Sequence, residues 1–111
     1  MEELRIVSSL DGSAEPSLWH PPETTGAPVA VGLHTWSQSR HNQQEPLLER
    51  CRQRGWGLLL PEFRGPNLTE NPRCREACAS ERAMQDIEDA VDMLVADYEV
   101  NPARVLLLGG S

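Results

Sequence analysis

Three short apolar runs constrain this chain more than any other feature. Pro28–Leu33 (PVAVGL), Gly57–Leu60 (GLLL) and Val105–Leu108 (VLLL) carry no charged side chain. Runs of that length suit strands, and a strand without polar alternation suits burial on both faces, as in parallel sheets. Parallel neighbours need a crossover rather than a tight turn, and the usual crossover is a helix. The stretches between the runs supply two. Pro46 fits the first turn of a helix whose apolar stripe is Leu47, Leu48 and Cys51, with Gly55 as its stop. Ser80 is placed to cap a second, in which Ala83, Ile87, Ala90, Val91, Leu94, Val95 and Tyr98 recur at helical spacing. Glu81, Arg82, Gln85, Glu88, Asp89 and Asp92 fall on its wet side, and Asn101-Pro102 ends it.

A different pattern precedes the first run. Leu4–Ser9 reads as a strand, Asp11-Gly12 as a two-residue hairpin turn, and Ala14–His20 as the returning strand. Pro16 lacks a ladder donor, which places that strand near an edge. Residues 1–27 are therefore an antiparallel hairpin and loop, and 28–111 a β-α-β-α-β unit. The fold class is α/β, with an antiparallel start and a parallel continuation. The segment Pro61–Ala79, about 19 residues, is longer than ordinary connections and favours a functional loop.

Composition excludes several classes. The 111 residues carry 17 Asp and Glu against 10 basic residues, a net charge of −7 that opposes nucleic acid or an anionic membrane as partner. All the basic residues are Arg, so no lysine chemistry is available within this stretch. The start, MEELRIVSSL, lacks a signal peptide's positive region and long apolar core, and no run reaches the roughly 18–20 residues of a membrane span. A cytoplasmic location is expected. With three cysteines and no export signal, free thiols are the default and a Cys51–Cys78 bridge the alternative.

The chemistry concentrates at the ends of the apolar runs. Gly109-Gly110-Ser111 follows the third and forms the first half of G-x-S-x-G, the sharp strand-to-helix turn that exposes a nucleophilic serine. His34-Thr35-Trp36 follows the first run, where such folds supply a backbone N–H to an oxyanion hole. His34 is expected to orient that loop by hydrogen bonds rather than act as a base. Phe63-Arg64-Gly65-Pro66 follows the second run on the same sheet edge. Arg64 is a candidate for a substrate carboxylate, against the plainer reading of an ion pair with a structural acid.

Together these stretches resemble the N-terminal part of the catalytic domain of prolyl oligopeptidase-like (S9-type) α/β-hydrolases. Val31–Ser37 is similar to that family's oxyanion loop. Arg54-Gly55-Trp56, Pro61–Asn67, Glu76-Ala77-Cys78, Asp86–Val91, Asn101–Val105 and Leu108–Ser111 follow in the family's order. The resemblance runs from about residue 28 to the end, and residues 1–27 look like the family's first antiparallel strands. It implies a serine-type peptidase or esterase acting through an acyl-enzyme on a small-molecule or peptide substrate, without cofactor. Ser111 would be the nucleophile, with Asp and His of the triad downstream of it. Trp36, ahead of Thr35, would be the oxyanion donor, because Thr35 stands where many relatives have Gly. The resemblance also implies a strand order with the third strand between the fourth and the fifth. On this reading the chain is the front of a domain nearer about 250 residues, inactive by itself. Its last strand would be central in the parent and an exposed apolar edge in isolation.

Other readings stay open. Gly109-Gly110-Ser111 as a phosphate loop would make a nucleotide-binding module, although such glycines normally follow the first strand of a sheet. A fragment without any function of its own is a further alternative. Cys74 and Cys78, with His20, His34 and His41, lack the second close pair that zinc would need, so no metal is expected. Asn67-Leu68-Thr69 is a chance sequon in the absence of export. Asp86, Asp89 and Asp92 are expected on a solvated helix face, with Asp86 and Asp89 near enough to steady the loop around Arg64.

Overall fold

A computed structural model describes residues 1–35, 38–63 and 80–110. Among them the chain forms β1 (Glu2–Val7), β2 (Ala14–His20), β3 (Val29–Leu33), α1 (Gln44–Arg54), β4 (Gly57–Pro61), α2 (Glu81–Asp97) and β5 (Val105–Gly109). A short 3-10 turn, Pro102–Arg104, leads into β5, with the Asn101 side chain accepting the Ala103 N–H at 2.9 Å. The five strands make one sheet in the order β1-β2-β4-β3-β5. β1 and β2, and β2 and β4, pair antiparallel, whereas β3 lies parallel to both β4 and β5. The fold class and the position of β3 between β4 and β5 are as expected from the sequence.

Each face of the sheet has its own apolar layer. Leu4, Ile6, Trp19, Val29, Val31 and Leu59 pack with Ala90, Leu94 and Val100, so α2 covers that side. Leu18, Ala30, Leu58 and Leu60 pack with Cys51, and Leu47, Leu48 and Trp56 extend this second layer on the α1 side. Alternate residues of β3 and β4 thus enter opposite layers, which is why these strands show no polar alternation. Trp19 meets Tyr98 edge-on, with ring centroids 5.8 Å apart.

Local chemistry fixes the helix ends. Gly55 closes α1 in the left-handed region (φ +69°), with its N–H donating to the Arg52 carbonyl. The Ser80 hydroxyl accepts the Ala83 N–H at 3.2 Å at the start of α2. Gly32 allows α1 to approach β3. A Cβ there would stand 2.7 Å from the tips of Leu47 and Leu60.

Several expectations need correction. The first hairpin does not turn on Asp11-Gly12 alone. β1 stops at Val7, Ser8 N–H donates to the Ser13 carbonyl and Gly12 N–H to that of Ser8, so the loop is wider. Gly12 supplies a positive φ (+73°), and the Asp11 carboxylate accepts from the Ser13 N–H and hydroxyl, which stabilises the longer turn. β2 is an inner strand, not an edge. Pro16 is tolerated because its nitrogen faces the end of β4, where its carbonyl accepts Glu62 N–H just past the last strand residue. α1 begins at Gln44, which leaves Pro46 in its first turn, as expected. Asp86 is buried rather than solvated. Asp89 holds the first hairpin, accepting from Ser9 N–H at 2.6 Å and Ser9 hydroxyl at 2.9 Å. The last strand, by contrast, is the exposed apolar edge expected of the isolated chain: β5 has β3 on one side only, and Leu106, Leu107 and Leu108 are exposed.

Candidate functional site

The strand order creates one privileged position. From β3 the chain crosses through α1 to β4 on one side, then returns through α2 across β3 to β5 on the other. The two crossovers pack on opposite faces, so the connections diverge between β3 and β5. Open α/β sheets bind ligands at the carboxyl ends of strands at such a switch point. The register sets what meets there. Leu33 pairs with Gly109, so His34 leaves β3 at the level where Gly110 leaves β5. Ser111, Trp36 and Arg64, the other candidates from the sequence, lie outside the described residues.

His34 is buried and both its ring nitrogens are engaged. Nδ1–H donates to the Thr35 carbonyl at 2.9 Å, and Nε2 accepts Phe63 N–H at 3.4 Å. The acceptor carbonyl and the donor amide fix a single neutral tautomer. Its ring also stacks on Phe63, with centroids 3.9 Å apart and planes 7° from parallel. Burial pushes the His34 pKa below the ordinary histidine value, against the opposing pull of the Thr35 carbonyl and of Glu62. A neutral imidazole with no free nitrogen joins two loops and has no lone pair to offer a nucleophile.

Thr35 is held on both sides. Its N–H donates to Asn42 Oδ1 at 2.9 Å. Its carbonyl accepts from His34 and from Gln38 N–H, the latter at 3.1 Å. Arg40 ties the same loop to the sheet. Nη1 meets Glu62 Oε1 at 2.9 Å, Nη2 meets Glu3 Oε2 at 3.0 Å, and Arg40 N–H also donates to Glu62. Desolvation works against the charged guanidinium, but the hydrogen bonds it donates to Glu62 and Glu3, with their negative charges, outweigh it and raise the Arg40 pKa.

Arg40, Asn42 and Glu62 were not singled out by the sequence. Arg40 and Glu62 follow different strands, and no spacing rule reveals that β3 and β4 end side by side. The available signal was weaker: Asn is prone to bond nearby backbone groups, and Asn42 lies seven residues from its partner. Cys51 is a buried free thiol. Burial raises its pKa, with Arg54 pulling weakly the other way, so it is protonated at neutral pH. Among the described residues no cluster of three or more His, Cys, Asp or Glu is placed to hold a metal ion, and no helix is long and apolar enough to cross a membrane.

No protein-family model and no curated protein sequence matches this chain. Solved structures do. An esterase from Pyrococcus furiosus superposes with a TM-score of 0.77 at 18% identity, over 99% of this chain and 40% of its own. A putative α/β hydrolase from Agrobacterium tumefaciens gives 0.70 at 18% identity, over 97% of this chain and 48% of its own. An acylaminoacyl peptidase from Pyrococcus horikoshii gives 0.69 at 16% identity, over 97% of this chain and 18% of its own. The chain thus spans less than half the length of each of these structures. Superposition over nearly every residue, together with β3 set between β4 and β5 and the switch point beside it, gives this chain the α/β-hydrolase fold.

Proposed function

We propose that the protein carrying this chain is a serine hydrolase, a carboxylesterase or a peptidase of the prolyl oligopeptidase-like type, acting on a small-molecule or peptide substrate. The observation that carries this reading is the register between β3 and β5. It sets His34, which follows β3, level with Gly110, which follows β5, and an acyl-transfer site needs an oxyanion donor beside its nucleophile. Neighbouring structures include esterases and an acylaminoacyl peptidase, which favours the same chemistry over a phosphate-binding loop.

In this mechanism the Ser111 hydroxyl attacks the substrate carbonyl carbon, and a histidine of the full-length protein takes its proton. The carbonyl oxygen becomes an oxyanion held by backbone N–H groups. The leaving alcohol or amine departs with a proton from the same histidine, and water then hydrolyses the acyl-Ser111 ester. On this reading Trp36, ahead of Thr35, supplies the oxyanion donor, a choice supported by the engagement of the Thr35 N–H with Asn42.

A fluorophosphonate probe tests the assignment. Labelling of the protein at its full natural length should be abolished by Ser111→Ala. A folded, full-length sample that resists the probe sinks the reading. The 111-residue chain by itself should hydrolyse p-nitrophenyl acetate no faster than its Ser111→Ala variant.

A further inference from the structure

We propose that His34 is a pH-operated latch between the exits of β3 and β4: its neutral ring holds the Phe63 N–H, and its protonated ring lets that backbone go. The latch depends on the contacts of the ring alone and stands apart from the reaction proposed above.

The two ring nitrogens respond differently to a proton. His34 Nδ1–H donates to the Thr35 carbonyl at 2.9 Å, within the segment that leaves β3. Nε2 accepts from Phe63 N–H at 3.4 Å, two residues past the end of β4. A proton can add only at Nε2, because Nδ1 already carries one. Once it adds, two N–H donors face each other and the bond to Phe63 is lost. The bond to Thr35 needs a donor at Nδ1, which both states supply. Protonation therefore leaves His34 tied to its own loop and cuts the tie to the neighbouring strand's exit.

Opening is local. The His34 and Phe63 rings lie parallel with centroids 3.9 Å apart. A cation over an aromatic face is still attracted to it, so the two side chains can stay together while the backbone bond opens. The β3–β4 ladder behind them, which pairs Val31 with Leu59, contains no group that titrates with the ring.

The charges around the ring set when it opens. His34 is 6% exposed, so a charge there loses most of its hydration, and burial lowers its pKa. The Thr35 carbonyl and the Glu62 carboxylate pull the other way. Glu62 acts at less than full strength, because its Oε1 takes Arg40 Nη1 at 2.9 Å and the Arg40 backbone N–H. The other side of Arg40 is held by Glu3 of β1 at 3.0 Å. His41 and Glu45, at the start of α1, are exposed to water and screened by it. The latch is therefore shut at neutral pH and opens as pH falls through a value below the ordinary histidine range.

NMR of the isotope-labelled full-length protein, with backbone and histidine-ring signals assigned, tests this. At neutral pH His34 Nδ1 should carry the proton and Nε2 none. On acidification the Phe63 amide signal should move with the His34 midpoint, below the usual value of about 6.5. Its protection against hydrogen exchange should fall about fivefold, while Val31 and Leu59 keep theirs. A proton on Nε2 at neutral pH, or a Phe63 midpoint different from that of His34, overturns the latch. So does joint loss of protection at Phe63, Val31 and Leu59, which is ordinary acid unfolding. His34→Gln offers an oxygen to the same N–H and does not titrate, so the Phe63 response should vanish; a response that persists overturns the proposal. Glu62→Gln removes a charge that favours the protonated ring and should lower the midpoint; an unmoved midpoint overturns the part given to Glu62. If either variant fails to fold, the match of the two wild-type midpoints decides.

Discussion

Two leucine triplets offer a controlled comparison. Leu58-Leu59-Leu60 and Leu106-Leu107-Leu108 have the same composition and the same strand conformation. The first three are 0% exposed, whereas the second are 43%, 60% and 40% exposed. Leu59→Ala removes a side chain from the centre of the α2-side layer, where it packs with Trp19, Val29, Val31 and Leu94. Such a truncation loses the transfer free energy and leaves a cavity, about 2–5 kcal/mol together. Leu107 has only two-fifths of its surface covered. Scaling about 2 kcal/mol for full burial by that fraction gives about 0.8 kcal/mol for Leu107→Ala, with no enclosed cavity to add. Urea unfolding of the 111-residue chain, followed at several protein concentrations, should separate the variants by at least about 1.2 kcal/mol. Similar losses at low concentration, where copies do not associate, would refute the reasoning, because β5 would then be covered within the single chain. The uncovered edge also makes wild type prone to association, which Leu107→Glu should reduce.

Three further outcomes follow. The His34 pKa is lower in the folded state than in the unfolded chain, so its contribution is present above about pH 6.5 and is lost as pH falls towards the folded value. Tm should therefore drop on acidification from pH 7 to 5, and His34→Gln should flatten that drop; an unchanged slope excludes His34 as its source. At Asp89, burial pushes the pKa up, but hydrogen bonds from Ser9 and Gln85 outweigh it and hold the carboxyl below its usual range. Asp89→Ala should cost about 1 kcal/mol in chemical denaturation and speed amide exchange around Ser9; unaltered exchange there would show that the hairpin does not depend on this anchor. Gly32→Ala should cost about 1–3 kcal/mol by pushing Leu47 and Leu60 apart, and a neutral effect would mean that α1 shifts freely.

Much of this architecture was legible because its signals are local. The runs at Val29–Leu33 and Gly57–Leu60 lack polar alternation, and both strands are buried on two faces. Ser80 and Gly55 announce helix ends through side-chain and backbone chemistry that acts within a turn. Failures arose where the deciding contact is distant in sequence. Pro16 looks like an edge residue until Glu62 is known to lie against it. Asp89 looks solvated until the hairpin loop of Ser9 is brought beside it, 80 residues away. The site divided the same way. His34-Thr35 and Gly109-Gly110 were marked by their positions after apolar runs. Arg40 and Asn42 were invisible, since polar residues in a polar loop acquire meaning only from the strand ends they grip.

The interior position of β3 bears on how the chain can assemble as it is made. The β1–β2 hairpin joins neighbours in sequence and can form as soon as it is synthesised. β3 emerges next, yet it pairs with nothing made before it; its partners are β4 and β5, and even β2 waits for β4 to cover its second edge. Until residues 57–61 appear, an apolar strand stands with both edges open, and the second edge stays open until β5 arrives. Pairings across such separations form slowly, and unpaired apolar strands are vulnerable meanwhile. The same strand order that creates the switch point therefore leaves β3 without a partner until the second half of the chain has been made.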